Sequence, residues 1–372
     1  MNKHIKYLFK EAFPLLVIIT LMMAIISGSI AVTMGCKYEH RVPAPYLSYP
    51  NPSLEALIVP LAILSSIMPI FLFLRYKKRD AVDIYFALPL CKKVMFFSRI
   101  LVGFLLILIS FTISYLLTVF ILLLRGAEFY MIQYIPLYFL LILAALAIYL
   151  IDTLFVLKAK NNLDAAMLVV LYWIVSTLSV SSLATYLDMF KFTSQIKISP
   201  YIFAPFIALN EISTFYRKML ISKMPAYEFG EIYESGLRDM FLYLGIQVSF
   251  ALLAVIAIIY EIKKYKNDNV EGRTKSWFGY KIMLPLFLTF AIMSNFRVND
   301  LANTLILCLI YIVAYLALTM ILEFRSFKIP KSRYIVMLAI VVLTIGGSMI
   351  LNIIANSINI YKIKLIYFLY RI

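Results

Sequence analysis

Few acids, bases or nucleophiles in this chain stand where chemistry could be done, and their spacing excludes most reactions. Two histidines, His4 and His40, and three cysteines, Cys36, Cys91 and Cys308, lie far apart, with no CxxC and no HExxH. Metal sites need ligands at short, repeated spacing, so a metal hydrolase is poorly supported. No GxxxxGK[ST] occurs, so the chain has no P-loop of its own for ATP. Asp152 stands inside an apolar run at 135–157, where acids are rare and face a protein interior or a water-filled cavity. It lies about two helical turns before Lys158. It suits an interfacial or packing acid, or a residue on a substrate path or an inter-helix lock. An intramembrane enzyme would need more such groups clustered with it. Asp164, at the start of the next apolar run, suits a helix start, where carboxylates favour the dipole.

The densest charge lies in a polar interruption at 75–99. It holds Arg75, Lys77, Lys78, Arg79, Lys92, Lys93 and Arg99 against only Asp80 and Asp83. A basic excess in a short loop between apolar runs predicts the cytoplasmic side of a membrane. Val82, Tyr85, Phe86 and Leu88 fall at helical spacing behind the two acids, which predicts a short amphipathic helix along the inner surface. Leu88-Pro89 ends it, and Pro89 suits the first turn of a second helix running into the next span. A plain reading is a basic loop that anchors two spans; the sharper one is a docking element.

The run Asp83-Ile84-Tyr85-Phe86-Ala87-Leu88-Pro89-Leu90-Cys91-Lys92-Lys93, followed by Phe96, Ser98, Arg99 and Gly103, resembles the first cytoplasmic loop of a Gram-positive branch of the ABC-2 type transporter permeases. That branch carries Asp-x-Tyr-x-x-Leu-Pro, a basic pair, an aromatic, a Ser and a Lys or Arg before a Gly. The resemblance implies a coupling helix that seats in a groove of a separate ATPase subunit. Under it, Tyr85, Phe86, Leu88 and Pro89 are groove contacts, and Asp80, Asp83, Lys92 and Lys93 orient the pair by charge. Further on, the family's Glu-x-Ala-Gly corresponds to Asn269-Val270-Glu271-Gly272, where the acid is displaced and the Ala is absent.

Composition sets the class. The chain of 372 residues is 63% hydrophobic and 15% charged, against roughly 45–50% apolar and about 25% charged in a soluble protein. An all-α polytopic membrane protein follows. The net charge of +16 lies in short loops beside apolar spans. That fits topology and anionic-lipid contact, and nucleic acid is not an expected partner.

About nine spans are predicted: a six-span core over 12–262, a basic cytoplasmic linker at 263–281, and three further spans over 282–357. An interfacial helix at 1–11 precedes them. The basic head and apolar run read as a retained anchor rather than a removed leader, since the position three before Cys36 is Thr33 where a lipoprotein box has Leu. The interval 188–239 holds six basic and six acidic residues, a balance that predicts an outside loop, and its apolar stretch 198–209 suits a re-entrant or surface-lying segment. The tail 358–372 is expected outside, as a strand or an interfacial segment. On this layout 22 of the 35 Lys and Arg lie inside, with the amino terminus inside and the carboxyl terminus outside a plasma membrane.

The resemblance implies the permease subunit of an ATP-driven exporter, dimerising with itself or a sister permease and pairing with a cytoplasmic ATPase. ATP and magnesium would sit on that partner, with no cofactor and no catalytic residue in this chain. An amphipathic peptide, an antibiotic or a lipid-like molecule is the expected cargo. A membrane sensor or assembly subunit, reading the cell envelope through 188–239 without transport, is the other class the layout allows.

Overall fold

The computed structural model describes residues 2–33, 55–78, 91–124, 131–190, 204–221, 226–264, 279–296, 301–324 and 329–369. Among the described residues ten α-helices follow one another: α1 (Asn2–Thr33), α2 (Glu55–Phe73), α3 (Lys92–Leu124), α4 (Met131–Lys158), α5 (Asn162–Met189), α6 (Ile207–Ile221), α7 (Ala226–Lys264), α8 (Tyr280–Asn295), α9 (Leu301–Leu318) and α10 (Lys331–Leu369). No strand occurs among the described residues. Among the described residues seven helices are long and apolar enough to cross a membrane, and 57–73 and 280–295 are shorter apolar helices. Large side chains lie open along them, such as Leu343 at 74% and Ile25 at 68% exposure. In water these faces would associate, and in a bilayer they meet lipid. The chain is a polytopic, all-helical membrane protein.

Helix is the form that satisfies every backbone group inside one apolar segment. Neighbouring helices also explain why prolines sit inside α1 (Pro14), α2 (Pro60, Pro69), α4 (Pro136) and α8 (Pro285) without ending them.

Contacts divide the chain into two compact units. The first spans 1–157 and 206–271. In it α1 and α3 run the same way: Thr20 bonds Ser110 at 2.9 Å, and further along Gly28 faces Leu117 and Ile121. The end of α2 meets the start of α3, where Arg99 bonds the Leu72 carbonyl at 2.6 Å. Helix α4 runs against α3, with Tyr115 on the Tyr134 carbonyl at 2.9 Å and Tyr149 on that of Ile100 at 3.0 Å. The start of α1 joins the same end through the Glu11–Arg75 ion pair. So α1 and α3 begin, and α2 and α4 finish, at one face, which carries the flanks of the basic loop. Helix α6 lies toward the opposite end, its Tyr216 within electrostatic reach of Tyr115. There Phe215 packs on Gly236 of α7.

The second unit spans 158–205 and 272–372 and holds α5, α8, α9 and α10. Short α8 packs on the other three. It runs the same way as α5, joined by Tyr280 to Asp164 (3.0 Å), Ser182 to the Phe290 carbonyl (3.0 Å) and Thr185 to that of Ser294 (3.4 Å). Asn295 bonds Tyr311 of α9 at 2.8 Å, and Tyr186 bonds Ser348 of α10 at 2.5 Å. The last turn of α9 continues as a π-helical turn over Thr319–Phe324.

Four boundaries depart from the sequence reading. The interfacial segment 1–11 and the first span form one helix, because nothing between Asn2 and Thr33 breaks it beyond the tolerated Pro14. The interval 188–239 is not an open loop, since it contains α6 and the first turns of α7. Within its apolar stretch, 204–206 is a 3₁₀ turn and 207–209 opens α6. The tail is helical as far as Leu369, and no Gly or Pro after Gly347 stops it. Finally, α5 groups with α8–α10 and is tied to α8 by three hydrogen bonds.

Candidate functional site at the base of the basic loop

Asp80, Asp83, Tyr85, Phe86, Leu88 and Pro89, and with them the expected amphipathic helix, lie outside the described residues. The described chain before and after them is built in detail. After α2 a 3₁₀ turn, Arg75–Lys77, carries the chain to Lys78. After the interval, Cys91 is exposed and α3 opens on Lys92 and Lys93, both exposed. The basic pair therefore stands at the solvent-accessible rim of the loop.

Behind that pair the same helix turns inward. Phe96 stacks on Phe73 with centroids 5.9 Å apart and lies 5.3 Å from the Tyr76 ring. Phe73, Tyr76 and Phe96 are each about 1% exposed, so an aromatic wedge closes the junction of α2 and α3. Arg99 lies over the Tyr76 ring at 4.0 Å, a cation–π contact, while its Nη1 donates to the Leu72 carbonyl. Ser98 donates to the Val94 carbonyl of its own helix. Lys77 donates to the Val156 carbonyl.

Leu72 and Val156 lie in the last turns of α2 and α4, where carbonyls lack helical partners and the dipole is negative. Arg99 and Lys77, only 4% and 6% exposed, thus cap two helix ends with buried charge. A charge-assisted hydrogen bond contributes about 1.5–3 kcal/mol. The Glu11–Arg75 pair differs: Arg75 is 58% exposed, so that bridge adds little.

Gly103 completes the base. A Cβ there would overlap the Tyr149 hydroxyl and Leu72 Cδ1, and would stand 2.8 Å from Tyr149 Cζ. Its missing side chain lets α4 approach α3 closely enough for Tyr149 to reach the Ile100 carbonyl. Asp152 follows on α4, wholly buried at 0% exposure, beside Thr153, which bonds the Tyr149 carbonyl at 2.6 Å. Its setting is a protein interior.

In the second unit, Asp164 is a helix-start acid and more. Asn161 caps α5 by accepting the Asp164 backbone N–H at 2.6 Å, and Asp164 accepts Asn161 Nδ2 and the Tyr280 hydroxyl, each at 3.0 Å. The sequence left Tyr280 unremarked.

No group of three or more His, Cys, Asp or Glu able to hold a metal occurs among the described residues. What the loop base offers is mechanical: exposed cations at its rim and buried cations clasping helix ends. Lys77 entered the sequence reading only as basic excess, and Arg99 as basic excess and as the Lys-or-Arg position of the resemblance. The signal that Arg99 is buried was its place between Met95-Phe96-Phe97 and the apolar run from Ile100, inside the hydrophobic length of α3. Comparison with family models, curated proteins and solved structures returned no match to this chain.

Proposed function

We propose that the chain is a permease subunit of an ATP-driven ABC exporter in a plasma membrane. It carries nine spans and couples a separate cytoplasmic ATPase to export of an amphipathic peptide, antibiotic or lipid-like molecule. The observation that carries this reading is the run from Asp83 to Gly103. Its acidic-aromatic-Leu-Pro half resembles a coupling loop, and its Phe96, Ser98, Arg99 and Gly103 all have packing or hydrogen-bonding roles at the loop base. Seven long and two shorter apolar helices support nine spans. The shared direction of α1 with α3, and of α5 with α8, agrees with alternate crossing from an inside amino terminus to an outside carboxyl terminus.

In this mechanism nucleotide and magnesium belong to the partner. Tyr85, Phe86, Leu88 and Pro89 fill its groove, with Asp80, Asp83, Lys92 and Lys93 orienting the contact. A second copy or a sister permease completes the transporter, and the exposed faces meet membrane lipid. Asp152 serves as an interior packing or lock residue. The test is purification of the tagged chain from its native membrane in mild detergent, with an ATPase assay on the eluate. A co-purifying soluble subunit with vanadate-sensitive activity, lost in the Tyr85→Ala/Leu88→Ala variant, is expected. A chain that emerges alone, or an ATPase unaffected by the double variant, overturns the reading.

A further inference from the structure

We propose that Lys77, Tyr149 and Arg99 form a cyclic clasp that makes the ends of α2, α3 and α4 respond as one block, with Lys77 and Arg99 as positioning residues. The part of this proposal that concerns coupling rests on the docking role proposed above. Lys77, just past α2, donates to Val156 of α4. Tyr149 of α4 donates to Ile100 of α3. Arg99 of α3 donates to Leu72 of α2. Every donor is a side chain and every acceptor a backbone carbonyl of the next helix, so the ring closes on main-chain positions. Those cannot be relaxed by a rotamer change on the acceptor side. Displacing any one helix end strains two of the three bonds.

The choice of residues points beyond stability. Well-packed apolar side chains at such places stabilise as well as buried charges or better. Two buried cations fix direction and register instead, because each reaches a carbonyl along a narrow range of angles. The aromatic wedge behind them, Phe73, Tyr76 and Phe96, leaves no slack at the α2–α3 junction. A displacement delivered to either flank of the 79–90 interval is thereby shared by three helices.

Hydrogen exchange on the full chain in detergent tests the ring. Lys77→Met removes the tie to α4, and the expected signature is non-local: exchange rises about tenfold or more at 92–100, on the helix outside the Lys77–Val156 bond, as well as at 150–158. Tyr149→Phe, which changes no charge, gives the same spread into 72–78. Lys77→Arg restores protection. Exchange confined to the two helices whose bond was cut overturns the ring. On the co-purified complex, Lys77→Met and Arg99→Ala are expected to retain the bound ATPase while its permease-dependent stimulation falls by about tenfold. Normal stimulation in variants with spread exchange overturns the positioning role. A wild-type chain without an ATPase defeats the functional reading alone, and the exchange pattern still decides the ring.

Discussion

Tyr280 donates its hydroxyl proton to Asp164 across 3.0 Å, so the first turn of α8 is tied to the first turn of α5. Asp164 is 1% exposed and Tyr280 2% exposed, and Asn161 holds the other carboxylate oxygen. Tyr280→Phe removes one bond from a buried carboxylate, which costs about 1–3 kcal/mol. Asp164→Ala removes the carboxylate bonds to both Tyr280 and Asn161 and costs at least as much. Thermal unfolding in detergent checks this, and the double variant should fall short of the sum of the singles, since both cut the same bond. Strict additivity would mean the contact carries no energy.

The sequence showed the class, because twenty-residue apolar runs leave the backbone no alternative to helix. It was silent where side chains act across helices. The partners of Arg99 and Lys77 are backbone carbonyls of Leu72 and Val156, which no residue type advertises. At 188–239, where charge balance suggested an outside loop with a re-entrant or surface-lying stretch, the chain forms α6 and the first turns of α7. Ile207, Ala208, Leu209, Ile212, Phe215 and Tyr216 recur at helical spacing and are buried. At the tail, where alternation around Lys362 and Lys364 allowed a strand or an interfacial segment, the helix continues to Leu369.

Gly103 is the closest approach at the loop base. Gly103→Ala drives a methyl into the Tyr149 hydroxyl and Leu72 Cδ1. Leu72 can turn its terminal methyl aside, but the ring of Tyr149, wedged between helices, cannot. Overpacking of this kind costs about 1–3 kcal/mol. Adding Tyr149→Leu removes the rigid obstacle and should recover part of the loss in a thermal scan. No loss in the single variant would show that α4 stands off from α3.

Glu323 and Arg333 face each other across the α9–α10 junction, with side chains 12% and 15% exposed. Thr319, fully buried, lies one turn before the acid in the π-helical turn. Arg333→Met alone strands a largely buried carboxylate and should cost about 3–5 kcal/mol. Arg333→Met with Glu323→Leu removes both charges together and should return to within about 1 kcal/mol of the parent. Denaturation midpoints in detergent separate the two outcomes. A harmless single variant would place the pair in water.

Lys93 and Lys263 are exposed at the ends of α3 and α7, whereas Arg238, 62% exposed, lies near the α6-facing start of α7. Helix α7 is long and apolar enough from Gly236 to Lys264 to cross a membrane, and a crossing would put Arg238 and Lys263 on opposite sides. On the proposed topology the face with the loop flanks is the cytoplasmic one, as the positive-inside rule expects. Single cysteines placed at these positions, with the three native cysteines replaced by serine, report the sides directly. In intact cells a membrane-impermeant maleimide should label Arg238→Cys and leave Lys93→Cys and Lys263→Cys unreacted until the membrane is opened. Labelling of Lys93→Cys in intact cells would turn the chain over and remove the loop from reach of any cytoplasmic ATPase. Labelling of Arg238→Cys and Lys263→Cys from the same side would deny that α7 crosses at all.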